Sequence, residues 1–154
     1  MSYPIESQLI SRGETAGSLR GFALHMAIKS YRDLIVWERS LELTCEVYRL
    51  TDRFPSGERF GLTSQMRRAA ASIASNIAEG HERRSRADFR RFVSMALGSL
   101  AELETQIELG IRLGFSDSEG VVIVRGLADQ VGRMLNTMRT RLRNPSPQPL
   151  GPRP

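Results

Sequence analysis

The chain is short of the residues from which small proteins usually build chemistry. Among its 154 residues there are one cysteine, two histidines and a single lysine, and five of the seven prolines fall in the last ten positions. Cys45 alone cannot close an internal disulfide or build a cysteine-based zinc site, which suits a reducing, cytoplasmic setting. Di-metal helical bundles need Glu-x-x-His on two helices, and His25 and His81 cannot supply it. Glu79 and His81 stand two apart, so on a helix they point to different sides. No run of eighteen apolar residues exists, and no membrane span is expected. The glycine spacings that cradle phosphates, G-x-G-x-x-G and G-x-x-x-x-G-K, are missing as well. No cofactor and no enzymatic activity are therefore expected.

What is present is helical periodicity, four times over. Leu34, Trp37, Leu41, Cys45 and Tyr48 recur at helical steps and mark one buried face, with Asp33 as N-cap and a stop before Phe54-Pro55. On this reading Cys45 is a packed core thiol. A second segment carries Leu62, Met66, Ala69, Ala70, Ile73 and Ile77, is capped by Ser56 or Thr63, and ends near Gly80. The third opens at Ser85-Arg-Ala-Asp88 and runs through Phe89, Phe92, Ala96, Leu100, Leu103 and Ile107 to a left-handed stop at Gly114. The fourth follows the capping box Ser116-Asp-Ser-Glu119 and continues through Val124, Leu127, Val131, Met134, Leu135, Met138 and Leu142. Val121 to Val124 belong to that helix rather than to a strand. The predicted fold is all-α, an antiparallel up-down-up-down four-helix bundle over residues 31–143. Residues 1–30 read as a mobile arm and the Pro-rich residues 144–154 as a disordered tail. Met26, followed by AIKSYRDL, is a credible start, so part of the arm is expected to be an upstream extension.

A polar ridge accompanies the apolar one. Gln65, Arg68, Ser72, Asn76, Glu79 and Arg83 follow at steps of 3, 4, 4, 3 and 4, and Ser99, Glu102 and Gln106 line up on the third helix with Arg91 and Met95. Asn and Ser are poor choices for a solvated helix surface, because their side chains compete with the backbone. Beside Ala69, Ala70, Ala71 and Ala74 they suit a close, hydrogen-bonded helix–helix or subunit contact. A solvated face and a ligand site using Asn76, Glu79 and Glu102 are the alternatives.

The runs DLIVW, FPSGERFGLTSQMRRAA, SIASNIAEG and GSLAELETQ resemble a family of small bacterial four-helix-bundle proteins. These are named for intervening sequences inserted in large-subunit ribosomal RNA genes, and the accessory variability determinant proteins of diversity-generating retroelements are similar. The resemblance spans about residues 31–143. It implies a bundle that assembles with itself as a ring-shaped homopentamer and offers a basic surface to RNA or DNA. For the retroelement branch it also implies a reverse transcriptase as partner.

Net charge is +5, yet residues 31–143 hold 18 Arg against 15 acids, only +3. Placement says more than the total. An up-down-up-down bundle brings the start of the first helix, the turn between the second and third, and the end of the fourth to one end. There Lys29 and Arg32 join Arg83, Arg84, Arg86, Arg90 and Arg91, and Arg139, Arg141 and Arg143. These last eight arginines are the expected phosphate contacts, since guanidinium groups bind phosphate bidentately. Part of the cluster also complements helix C-terminal dipoles. Phe89 and Phe92 are assigned to the core, so base stacking has little support. The reading favoured is a non-enzymatic, self-assembling bundle that binds nucleic-acid backbone. An interaction scaffold without nucleic acid is the main rival.

Overall fold

The structure is a computed structural model and describes residues 29–143. The expected arm up to residue 28, with Met26 and His25, and the expected tail from residue 144 lie outside the described residues. Four helices make up most of the rest: α1 Ile35–Thr51, α2 Leu62–Glu82, α3 Arg86–Arg112 and α4 Ser118–Arg143. Short 3-10 turns, Tyr31–Asp33 and Ser56–Phe60, precede α1 and α2. Among the described residues there is no strand.

Each helix packs on the next, and α4 returns to α1, while the backbones of the diagonal pairs α1–α3 and α2–α4 stay apart. That is the up-down-up-down square. Direction follows from pairs of contacts: Ser72 meets Ser99 and Gly80 meets Phe92 between α2 and α3, while Leu50 of α1 meets Gly120 of α4 and Arg53, just past α1, meets Asp117, just before α4. In both cases one index rises as the other falls, so the neighbours are antiparallel. The core between them is aliphatic, with Leu43, Val47, Met66, Ile73, Ile77, Val93, Leu103, Ile107, Val131 and Leu135 fully enclosed. Each such side chain contributes about 1.5–3 kcal/mol of transfer free energy.

Helix α1 presents a different face from the one its apolar spacing suggests. The buried residues are Val36, Ser40, Leu43, Val47, Leu50 and Thr51, whereas Trp37 and Leu41 are half-buried and Cys45 and Tyr48 are exposed. The expectation of a core thiol at Cys45 is thus overturned. Two stripes about 100° apart both satisfy the helical period. The inner one hides two hydroxyls that bond back into their own helix, Ser40 Oγ to the Val36 carbonyl at 2.7 Å and Thr51 Oγ1 to that of Val47 at 2.8 Å. With their donors satisfied, Ser and Thr enter the core at little cost. Arg67 of α2 then closes the seam, donating to Thr51 Oγ1 at 2.9 Å and Asp52 Oδ1 at 2.6 Å while lying over the Tyr48 ring.

The helix starts also differ from the expected caps. Asp33 does not cap α1; its carboxylate accepts from the Ser30 amide at 3.0 Å, in a capping box around the Tyr31–Asp33 turn. Neither Ser56 nor Thr63 caps α2; Glu58 Oε2 takes the Leu62 amide at 2.9 Å instead. At α4 the cap is Asp117 rather than Ser116, with Oδ1 accepting from Gly120 N at 2.7 Å. That bond, followed by the one from Arg53, holds the Asp117 carboxyl below its ordinary pKa. At the end of α3 the left-handed residue is Gly114, φ +73°, and the Gly114 and Phe115 amides return to Ile111 and Gly110 carbonyls, as expected.

The α2–α3 packing is tight at Gly80. A Cβ there would lie 2.5 Å from Phe92 Cβ and 3.0 Å from Phe89 Cδ2, whereas a Cβ at Gly98 on α3 would meet nothing within 4 Å. Gly80→Ala is expected to cost about 1–3 kcal/mol through overpacking. Gly98→Ala is expected to gain about 0.5–1 kcal/mol from helix propensity. Urea unfolding of the two variants measures both, and equal effects would show that the α2–α3 approach is not tight.

Candidate nucleic-acid interface

The turn between α2 and α3 is three residues long, Arg83 to Ser85, and its geometry is forced by the contact at Gly80. Glu82 ends α2, Arg83 stays helical, and Arg84 adopts φ +52°, the only non-glycine among the described residues in the left-handed region. A left-handed residue is what a helix stop requires, and the Arg84 amide returns to the His81 carbonyl at 3.2 Å. Glycine is the usual occupant, because a Cβ there is costly. Ser85 then goes extended and caps α3, its Oγ accepting from the Asp88 amide at 3.3 Å.

Arg86 reaches across to α4. Its Nε donates to the Leu142 carbonyl at 3.1 Å and its Nη2 to that of Arg141 at 2.5 Å. These carbonyls stand in the last turn of α4, where intrahelical donors run out, and the positive guanidinium suits the negative helix end. Arg86, expected as a phosphate contact, is therefore a cap that ties α3 to α4. The Tyr31–Asp33 turn lies against α2. The contributions expected from three parts of the chain do share one end.

The remaining arginines differ in how far they are engaged. Arg83 pairs with Glu79 at 2.7 Å, which holds its guanidinium firmly charged, and lies 5.6 Å from the centre of the Phe92 ring. Arg139 donates to Asn136 Oδ1 at 2.9 Å. Arg84, Arg90, Arg91, Arg141 and Arg143 are all exposed, and none of them enters an ion pair among the described residues. Of the acids at this end, only four against ten basic residues, Glu79 pairs with Arg83, Asp33 accepts from the Ser30 amide, Glu82 lies 3.7 Å from His81 Nδ1, and Asp88 reinforces the charge of Arg83. The exposed surface is left with a positive excess.

The rings here are covered. Tyr31 sits against Trp37, centroids 5.2 Å apart, with the Arg32 guanidinium 4.6 Å above it. Phe89 packs edge-on to His81 at 5.8 Å. Phe89 and Phe92, assigned to the core from spacing, are half-buried caps over Gly80. The role of Tyr31 and Trp37 at this end was missed, although the signal stands in the sequence: an aromatic pair flanking a capping box at the start of the first helix.

The polar ridge resolves into parts. Ser72 and Ser99 share a hydrogen bond of 2.9 Å across the α2–α3 seam, and Asn76 Nδ2 donates to Ser72 Oγ at 3.1 Å. Gln106 is buried and donates to Glu102 at 3.0 Å, while its Oε1 has no partner. Gln65, Arg68, Glu79 and Glu102 face solvent. The centre of the ridge is thus a contact within one chain. Asn76, Glu79 and Glu102 line neither of two shallow hollows on the bundle, which belong to α3 and α4 around Glu104 and Glu108. Among the described residues no three His, Cys, Asp or Glu side chains gather as metal ligands would, and no helix is long and apolar enough to cross a membrane.

Comparison with known proteins adds a family and a shape. The model of the 23S rRNA-intervening sequence protein family matches residues 32–137. The match includes the α2–α3 turn and stops short of Arg139, Arg141 and Arg143. Among solved structures, a protein of unknown function of the S23 ribosomal protein family from Bacteroides thetaiotaomicron is similar, with 26% identity and a TM-score of 0.63, over 68% of this chain and 98% of its own. None of the curated proteins matches.

Arg84→Gly separates backbone strain from side-chain role. The substitution is expected to leave the turn in place and raise stability by up to about 1 kcal/mol, since glycine accepts the left-handed conformation freely. A fall in melting temperature would show that the Arg84 side chain itself holds the turn.

Proposed function

The chain belongs to the 23S rRNA-intervening sequence protein family, and from that premise we propose a non-enzymatic, self-assembling bundle that binds RNA or DNA backbone through its arginine-rich end. The observation that carries the reading is the exposed set Arg84, Arg90, Arg91, Arg141 and Arg143, unpaired and drawn to one end from separate elements. Guanidinium groups in that state hold no competing carboxylate and release phosphate counterions on contact. The left-handed Arg84 supports it further, because the turn itself is better served by glycine.

Self-assembly rests on a second observation. The outer stripe of α1, with half-buried Leu41 and exposed Cys45 and Tyr48, leaves apolar surface that a neighbouring subunit can cover. The ring-shaped homopentamer implied by the family resemblance would repeat the basic end around an axis, and multivalent contact raises affinity without any new bond.

Two measurements test the proposal. Light scattering is expected to give an oligomer near five subunits; a monomer at micromolar concentration overturns the assembly. The double variant Arg90→Ala/Arg91→Ala, which removes exposed side chains and no cap, is expected to weaken nucleic-acid binding about tenfold at 0.1 M salt. It should also flatten the log–log salt dependence by roughly 1.5. Unchanged binding across the salt range overturns the patch, and an oligomer indifferent to nucleic acid leaves the scaffold reading.

A further inference from the structure

We infer that the basic end is built for double-stranded nucleic acid and selects it over unpaired strands; the inference rests on the nucleic-acid reading above and sharpens it. Proteins that hold single strands offer π-faces on which successive bases stack, each worth about 1–3 kcal/mol, beside a groove that tracks the backbone. Here the rings are spoken for. Tyr31 lies between Trp37 and the Arg32 guanidinium, Phe89 meets His81, and Phe92 lies under Arg83 and against Gly80. The four aromatic side chains at this end among the described residues, Tyr31, Trp37, Phe89 and Phe92, are half-buried. The two shallow hollows, around Glu104 and Glu108, touch none of the basic-end arginines. Among the described residues of this end, an unpaired base finds no open platform.

What the end does offer is an array of charge carried on fixed helix ends. Arg90 and Arg91 project from the first turns of α3, and Arg141 and Arg143 from the last turn of α4. The Arg86 bonds to the Arg141 and Leu142 carbonyls hold those two helix ends together. Arginines carried on fixed helix ends favour a ligand whose phosphates are also fixed in place, since the ordering cost then falls on the arginine side chains and not on the ligand backbone as well. A duplex carries about one charge per 1.7 Å of axis, twice that of one strand, and releases more counterions per contact, with salt slopes of roughly 0.9 against 0.7 per phosphate. Charge density and rigidity act in the same direction.

Trp37 is the only tryptophan of the chain and lies at this end, so it reports stacking directly. The full-length protein is titrated by fluorescence anisotropy with a labelled 20-base-pair RNA duplex, a DNA duplex of the same sequence, and a labelled uridine strand that does not pair. Trp37 emission is followed with the same ligands unlabelled. Both duplexes are expected to bind about tenfold more tightly than the unpaired strand at 0.1 M salt, with a steeper salt slope and little change in Trp37 emission. Equal or tighter binding of the unpaired strand, or strong quenching of Trp37 by it, overturns the inference and leaves backbone binding standing. Absence of binding to all three overturns backbone binding as well. Arg90→Ala/Arg91→Ala is the control: its loss must fall on duplex binding, and a duplex affinity that does not move overturns the assignment to this end.

Discussion

The close approach of α2 to α3 at Gly80 governs the rest of the molecule. Phe89 and Phe92 lie where a side chain at residue 80 would have to be, so the two helices converge and three residues are enough to join them. Convergence then dictates the left-handed conformation of Arg84, the extended Ser85 that caps α3, and the position from which Arg86 can reach α4. The same approach brings Ser72 within hydrogen-bonding distance of Ser99. Ala69, Ala70, Ala74 and Ala96 of the same two helices are buried as well. The arrangement of charge is a by-product of packing: arginines adjacent in sequence are fanned around a turn whose path the core has chosen.

Much of the fold was legible in the sequence because strong local signals agreed with one another. Ser85 and Gly114 carry their caps in their own side chains and backbone preferences, and α2 shows one unambiguous apolar face. Helix α1 was misread for a physical reason. Its inner face contains Ser40 and Thr51, whose hydroxyls are satisfied by their own helix, while its outer flank contains Trp37, Leu41 and Cys45. Periodicity counts apolarity and cannot see a back-bonded hydroxyl. The misplaced caps at Asp33, Ser56 and Ser116 have a related cause: several acceptors lie within one turn of each start, and tertiary packing chooses among them.

The basic end was legible only in part. Topology told which arginines share an end, and that follows from helix count alone. Which of them are spent on structure does not. Arg86 bonds carbonyls more than fifty residues away, at separations of 55 and 56, and no local pattern announces such a partner. Arg83, by contrast, pairs with Glu79 one helical turn earlier, a spacing visible in the sequence. The polar ridge, read as one object, divides: Ser72, Asn76 and Ser99 bond at the α2–α3 seam, Gln106 is buried, and Gln65, Arg68, Glu79 and Glu102 face solvent.

The square of helices, with the backbones of its diagonal pairs apart, has a consequence for how the chain reaches this state. The seams α1–α2, α2–α3 and α3–α4 each join segments separated by a short connection, so the chain entropy lost in closing them is small. The α1–α4 seam is different: Arg53 and Asp117 are 64 residues apart, and each doubling of a closed loop adds about 0.6 kcal/mol to its entropic cost. Closure of the square is thus the step with the highest contact order, and the hairpin of α2 and α3, with the shortest connection and the most extensive packing, is where native structure is least expensive to begin. Folding of the bundle is expected to start at α2 and α3, and α1 and α4 come together last.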